Sequence, residues 1–184
     1  LSSPNRQGNS ALAADWFLAG VNAEKYHWEK IRLYDLDIPQ LSNENLIPKG
    51  PADKDMTGLA GYIEESRAIV VSSPVWNFSL PAALKNVIDR CLFSGRVWSE
   101  KKDRTVPAWQ GKVFYLLFTG GAPWYIAWPN YLGILQLKFT LRYYGARSRL
   151  LRYIGKCGNG HKLVIDKRLR LRRSLKRQGQ KFFS

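Results

Sequence analysis

Several things are scarce in this sequence of 184 residues, and each scarcity removes a class of protein. No apolar run approaches the ~20 residues that a membrane-spanning helix needs, and no signal-peptide pattern opens the chain. The only cysteines, Cys91 and Cys157, are far apart and form no CxxC, so they read as free thiols of a reducing cytoplasm, not a disulfide framework. Its two histidines, His27 and His161, stand apart from any Cys/Asp cluster with ligand spacing, which leaves no metal site to expect. Acidic residues run out near the end. Residues 1–136 hold 14 Lys/Arg against 13 Asp/Glu, whereas residues 137–184 hold 15 against Asp166 alone, so nearly all of the net charge of +15 belongs to the last quarter. Such asymmetry marks a surface that could meet nucleic acid, acidic lipid or a phosphorylated ligand.

What is present is an alternation of strands and helices in a chain of single-domain length. Ala68 to Val71 is a short β-branched run of the kind buried in a parallel sheet, and Pro74 ends it. Two aromatics and an amide follow on a turn, Val75-Trp76-Asn77-Phe78. Ser79 is then placed to cap a helix whose Leu84, Val87, Ile88 and Cys91 recur at helical spacing, with Pro81 near its first turn. A strand thus delivers an aromatic loop to the carboxyl edge of a sheet, where open α/β sheets bind ligands.

The run from Pro74 to Arg90, Pro-Val-Trp-Asn-Phe-x-x-Pro-Ala-x-Leu-Lys-x-x-Ile-Asp-Arg, resembles the flavin loop of the flavodoxin-like NAD(P)H:quinone oxidoreductases and azoreductases. The resemblance implies an FMN cofactor, with FAD second to it, whose isoalloxazine lies against Pro74, Val75, Trp76, Asn77 and Phe78. It extends to the first ten residues, a loop of turn formers running into a helix that carries Leu12, Trp16 and Ala19. Asn9 or Ser10 can cap that helix, and its free N–H groups form an anion site. By resemblance Ser3, Arg6, Gly8, Asn9 and Ser10 would hold the FMN phosphate. A third loop follows the buried strand Lys112 to Thr119, and there Thr119, Gly120, Gly121 and Tyr125 would reach the pyrimidine edge. The family's quinone reductases carry a relay histidine just beyond that tyrosine, but Ile126 to Asn130 contain none.

The fold expected is flavodoxin-like, a doubly wound parallel sheet in the order 2-1-3-4-5, over a single FMN-binding domain with a basic segment at 137–184. No apolar strand precedes the first helix, so the first strand is missing and the chain is expected to be trimmed at its start. Lys30 to Leu36 alternates as an edge strand would, and Asp37 to Asp55 reads as a long loop beside the site mouth or a partner subunit. Met56 to Ser66 suits a helix with Leu59, Tyr62 and Ile63 inward, and Arg147 to Ile154 forms the last strand. Phe93 to Arg104 is an excursion in which Trp98, like Trp109, serves packing. From Trp128 to Tyr144 runs a helix apolar on too many sides for a simple surface element, and a homodimer contact is expected there. Asn159-Gly160-His161 turns into a last helix with Leu171, Leu175 and Phe182 on one stripe and basic residues around it.

By resemblance the activity is electron transfer from NAD(P)H through FMN to a quinone, azo compound or similar planar acceptor, with no side chain needed as a general acid or base. A reading from another class stays open beside it: a non-catalytic flavodoxin-like module whose basic surface meets nucleic acid or a membrane surface.

Overall fold

The computed structural model describes residues 1–43, 54–93, 98–101, 104–107, 109–158 and 164–181. The expected turn at 159–161, Phe182 and most of the 37–55 loop lie outside the described residues, as do the side chains of Cys91 and Trp98. The elements in chain order are α1 (Asn9–Leu18), a 3₁₀ turn (Leu33–Asp35), α2 (Lys54–Glu65), β1 (Ala68–Pro74), α3 (Ala82–Phe93), β2 (Trp98–Lys101), β3 (Arg104–Pro107), β4 (Val113–Thr119), a 3₁₀ turn (Trp124–Ile126), α4 (Trp128–Tyr143), β5 (Arg147–Ile154) and α5 (Leu169–Gln180).

Three strands form a parallel sheet in the order β1-β4-β5, and β2 and β3 pair separately as an antiparallel ribbon. The central strand explains the layering. Every residue of β4 is buried, and alternate side chains point to opposite faces. Val113, Tyr115 and Leu117 pack with Phe17 and Trp16 of α1 and Leu175 of α5. Phe114, Leu116 and Phe118 pack with Met56 and Leu59 of α2, Leu84 of α3, and Ile134, Leu137 and Leu141 of α4. A strand buried on both faces needs an apolar residue at every position, which is how Val-Phe-Tyr-Leu-Leu-Phe reads. On the first of these faces α1 and α5 cross so closely that a Cβ on Gly20 or Gly179 would collide with the backbone carbonyl of Lys176 or Phe17.

The expected edge strand at Lys30 to Leu36 is not formed. Its backbone bonds run to Leu1, whose backbone nitrogen donates to Ile31 O (2.7 Å) and whose carbonyl accepts from Leu33 N–H (2.9 Å). Ser2 N–H donates in turn to Ser72 O of β1 (3.1 Å). Leu1 and Ser2 therefore occupy the place that the 2-1-3-4-5 order gives the first strand. Ala68 to Val71 are half-buried and, as expected, covered on both faces: Ile69 and Val71 pack with the α2–α4 side, Ala68 and Val70 with the α1–α5 side.

Helix faces differ in part from the pattern read in the sequence. In α1 the buried residues are Asn9, Ser10, Ala11, Ala13, Ala14, Trp16 and Phe17, Leu12 is partly buried, and Ala19 falls outside the helix. In α2 Met56, Leu59 and Ala60 are buried while Tyr62 is exposed. Helix α4 carries two apolar stripes: Ile134, Leu137 and Leu141 face the sheet, and Leu132, Leu135, Phe139 and Tyr143 face outward. Gly145, with φ of 87°, ends it in the left-handed conformation that lets the chain turn into β5. Trp109 is buried against Phe114 and Tyr144, a packing role as expected.

Candidate functional site

The carboxyl ends of β1 and β4 and the amino end of α1 meet at one edge of the sheet. Val75 N–H donates to Thr119 O (2.8 Å), which joins the loop after β1 to the end of β4. Ser10 and Thr119 share a hydrogen bond between their hydroxyls (2.7 Å), and Ser72 Oγ donates to Ser10 O (2.7 Å). Gly120 N–H donates to Ile154 O, and Cys157 N–H to Gly120 O, so the end of β5 belongs to the same edge. Burial pushes the Cys157 thiol up, and the opposing pulls of Arg168 and the Gly120 backbone are smaller.

The start of α1 departs from the expected capping. Gly8 is the N-cap and makes no side-chain cap bond. The Asn9 side chain is buried and turned away from the helix start: its Nδ2 donates to Cys157 O (3.2 Å), and its Oδ1 accepts from Val164 N–H (2.9 Å) and Ile165 N–H (3.1 Å). Ser10 is likewise committed to Thr119. Neither of these bonds caps the helix, Gly8 makes no side-chain cap bond, and no acidic residue lies in its first turn. An uncapped amino end free of acidic residues is electrostatically open to an anion. Backbone N–H groups, more than the Asn9 and Ser10 side chains, are what this end offers a phosphate.

Arg32 braces the preceding loop, which sequence reading did not single out. Its Nη2 lies within hydrogen-bond distance of Ser3 O (3.4 Å) and Pro4 O (3.5 Å), its Nη1 of Arg6 O (3.5 Å), and its Nε is 3.3 Å from the Asp35 carboxylate. Arg6 also pairs with Asp35 (2.7 Å) and is largely exposed, so its guanidinium points to the acid and not to the α1 start. The interleaving of Arg32 with Ile31 and Leu33 in an apparent strand pattern hid this role.

The loop after β1 is a tight turn. Trp76 and Ser79 exchange backbone hydrogen bonds (3.1 and 2.9 Å), and the two residues between them, Asn77 (φ 47°) and Phe78 (φ 63°), are both left-handed. Two positive φ values in a two-residue loop are the signature of a type I′ turn, usually Asn-Gly. Ser79 closes this turn, and the first α3 N–H bonds go to Pro81 O, so the expected Ser79 cap is not made. A phenylalanine in the second position is strained by roughly 1–2 kcal/mol. Trp76 and Phe78 are thereby displayed at the surface, as are Trp124 and Tyr125 after β4, whose rings meet edge to face at 5.9 Å. Pro74 ends β1 as expected. Gly120 lies against Tyr153, whose hydroxyl donates to Ala122 O (2.9 Å), and a Cβ there would collide with the ring; Gly121 has ordinary room.

The structure thus brings Gly8, Asn9, Ser10, Val75, Thr119 and Gly120 together by direct or one-step contacts, with Trp76–Phe78 and Tyr125 on the flanking loops. A surface of exposed rings beside an anion-accepting helix end fits a ligand with a planar ring system and a phosphate. FMN has both parts.

Comparison with known proteins agrees with this geometry. The family model described as NADPH-dependent FMN reductase matches residues 1–132. An FMN-dependent NADH:quinone oxidoreductase of Pseudoalteromonas atlantica is 30% identical over 132 residues, a match spanning 65% of this chain and 65% of that protein. Among solved structures, the NAD(P)H:quinone oxidoreductase of Methanothermobacter marburgensis superposes with a TM-score of 0.76 at 18% identity, over 100% of this chain and 94% of that one. An azoreductase of Bacillus anthracis superposes with a TM-score of 0.72 at 18% identity, over 98% and 97%. At such identities these two likenesses establish the flavodoxin-like fold.

Proposed function

The chain belongs to the NADPH-dependent FMN reductase family, and on that premise we propose that it is an FMN-dependent oxidoreductase that passes electrons from NADH or NADPH to a quinone, azo compound or similar planar acceptor. The observation that carries this reading is the convergence at one sheet edge of the uncapped α1 end with the loops after β1 and β4, tied by the Ser10–Thr119 and Val75–Thr119 bonds. FMN, when bound, would supply two-electron redox chemistry between the nicotinamide and the acceptor, the acceptor's hydrogens coming from the hydride and from solvent.

The residues divide the work of binding. Backbone N–H groups at the start of α1, at Asn9 and Ser10, hold the phosphate, with Gly8 and the loop from Ser3 to Arg6 that Arg32 braces lying beside it. The turn from Pro74 to Phe78 carries the ring on its aromatic face, and the segment Thr119, Gly120 and Gly121 flanks the ring's polar edge, with Gly121 rather than Gly120, whose N–H is bonded to Ile154 O, as the backbone donor. Trp124 and Tyr125 border the acceptor side. No side chain is assigned a proton-transfer role.

A second copy of the chain covers the outward stripe of α4. Leu132, Leu135, Phe139 and Tyr143 expose an apolar strip beside a groove of about 400 Å³ between α3 and α4, lined by Leu80, Ile88, Phe139 and Tyr143. A cytoplasmic homodimer follows from this reading. The enzymatic part is tested by steady-state reduction of a benzoquinone or an azo dye with FMN-loaded protein. Parallel double-reciprocal lines, the pattern of a ping-pong cycle, are expected. Nicotinamide oxidation no faster than with free FMN contradicts it.

A further inference from the structure

The concentrated positive charge has no part in the site just described, and the structure shows where it lies. Helix α5 turns Leu171 and Leu175 into the core beneath α1. Its outer surface presents Arg170, Arg172, Arg173, Lys176 and Arg177, followed by Lys181, all exposed. Helix α5 contains no acidic residue, and the ion pairs Arg6–Asp35, Lys30–Asp15, Arg32–Asp35 and Lys85–Asp89 lie on other elements. A solvated helix face ordinarily mixes signs, because unlike charges three or four residues apart stabilise it and like charges repel. Here Arg170–Arg173, Arg172–Lys176 and Arg173–Arg177 stand at those spacings with no acid between them. An anionic partner would turn this repulsion into attraction.

A second feature adjoins that face. Arg168, at the start of α5, donates to Gly155 O (2.7 Å) and Lys156 O (2.5 Å). Gly155 in turn lies against Ala122, Pro123 and the Trp124 backbone. The loop that follows exposes Trp124 by 74%, Tyr125 by 62%, Ile126 by 57% and Trp128 by 72%, and Leu169 at the head of α5 is exposed by 60%. These exposures decide the kind of partner. Indole and phenol rings favour the level of lipid headgroups, and cations beside them favour lipid phosphates. Aromatic rings also stack on nucleic-acid bases, but Ile126 and Leu169 have no such use, whereas a bilayer boundary accepts aliphatic side chains.

We propose that α5, the 155–156 loop and the 124–128 loop form one docking surface for an anionic phospholipid bilayer, with the aromatic loop at headgroup level and the α5 cations against lipid phosphates. The reading does not depend on flavin binding. It places the mouth of the candidate site, where Trp124 and Tyr125 stand, next to the lipid boundary.

The test is co-sedimentation of the full chain with vesicles of phosphatidylcholine alone and of phosphatidylcholine mixed with phosphatidylglycerol. Binding only to the phosphatidylglycerol vesicles, weakening as salt rises, is expected. Replacing three cations together, Arg170→Gln, Arg173→Gln and Arg177→Gln, should weaken it roughly a hundredfold. Trp128→Ser should weaken binding without changing its salt dependence. Should the triple variant fail to match the parent's circular dichroism, the parent's own lipid and salt dependence decides. No binding to phosphatidylglycerol vesicles, equal binding to neutral ones, or a folded triple variant that binds as the parent does overturns the proposal. Duplex DNA that strips the protein from vesicles at equal phosphate concentration also overturns it and assigns the face to nucleic acid.

Discussion

The hydroxyls of Ser10 and Thr119 lie 2.7 Å apart across 109 positions of sequence, and both residues are buried. This bond fixes the start of α1 to the end of β4, so the two loops that meet at the candidate site are held in one frame. Ser10→Ala leaves the Thr119 hydroxyl without its partner, and Thr119→Val does the converse. Each is expected to cost about 1–3 kcal/mol in urea unfolding, and the double variant less than the sum, because it removes both polar groups. Additive losses would show that the hydroxyls do not stabilise each other.

The left-handed Phe78 provides a second test, since its backbone conformation suits glycine while its ring suits the site. Phe78→Gly relieves strain and loses little burial, because the side chain is exposed. Stability is expected to rise by up to about 1 kcal/mol, the glycine's greater freedom when unfolded offsetting part of the gain. Flavin affinity should fall in the same variant. A fall in both would mean that the ring is a packing element.

Two helical glycines should respond oppositely to the same substitution. In α5 a Cβ on Gly179 would collide with the Phe17 carbonyl, whereas around Gly58 in α2 nothing lies within 4 Å. Gly58→Ala is expected to stabilise by about 1 kcal/mol through helix propensity. Gly179→Ala should destabilise by about 1–3 kcal/mol despite the same propensity gain, because α5 must move off α1. Thermal unfolding of both variants reads the contrast directly.

The layout of the sheet was legible because β4 and β5 declare themselves locally, one by an unbroken apolar run and the other by alternation. Lys30 to Leu36 alternates equally well yet holds a 3₁₀ turn at Leu33–Asp35 and no strand among the described residues, because pairing depends on a partner backbone that alternation does not reveal. Asn9 looked like a cap because its residue type suits caps, but its amide is taken by Cys157, Val164 and Ile165, partners about 150 positions away. Periodicity also placed α4 correctly without choosing between its two apolar stripes, for both repeat at helical spacing. The turn at Asn77–Phe78 was visible as a loop. Its left-handed pair was not, because the second position carries Phe where sequence rules ask for Gly.

The central claim is that the α1 end and the two strand loops form a site for a phosphorylated flavin. The measurement that bears on it most directly is a fluorescence titration of the full chain with FMN and, in parallel, with riboflavin, which lacks the phosphate. Saturable binding of FMN, about tenfold or more tighter than riboflavin, is the expected result, because the uncapped helix end favours the dianion. Equal affinity for the two would contradict the phosphate role of the first loop, and no binding of either would contradict the site.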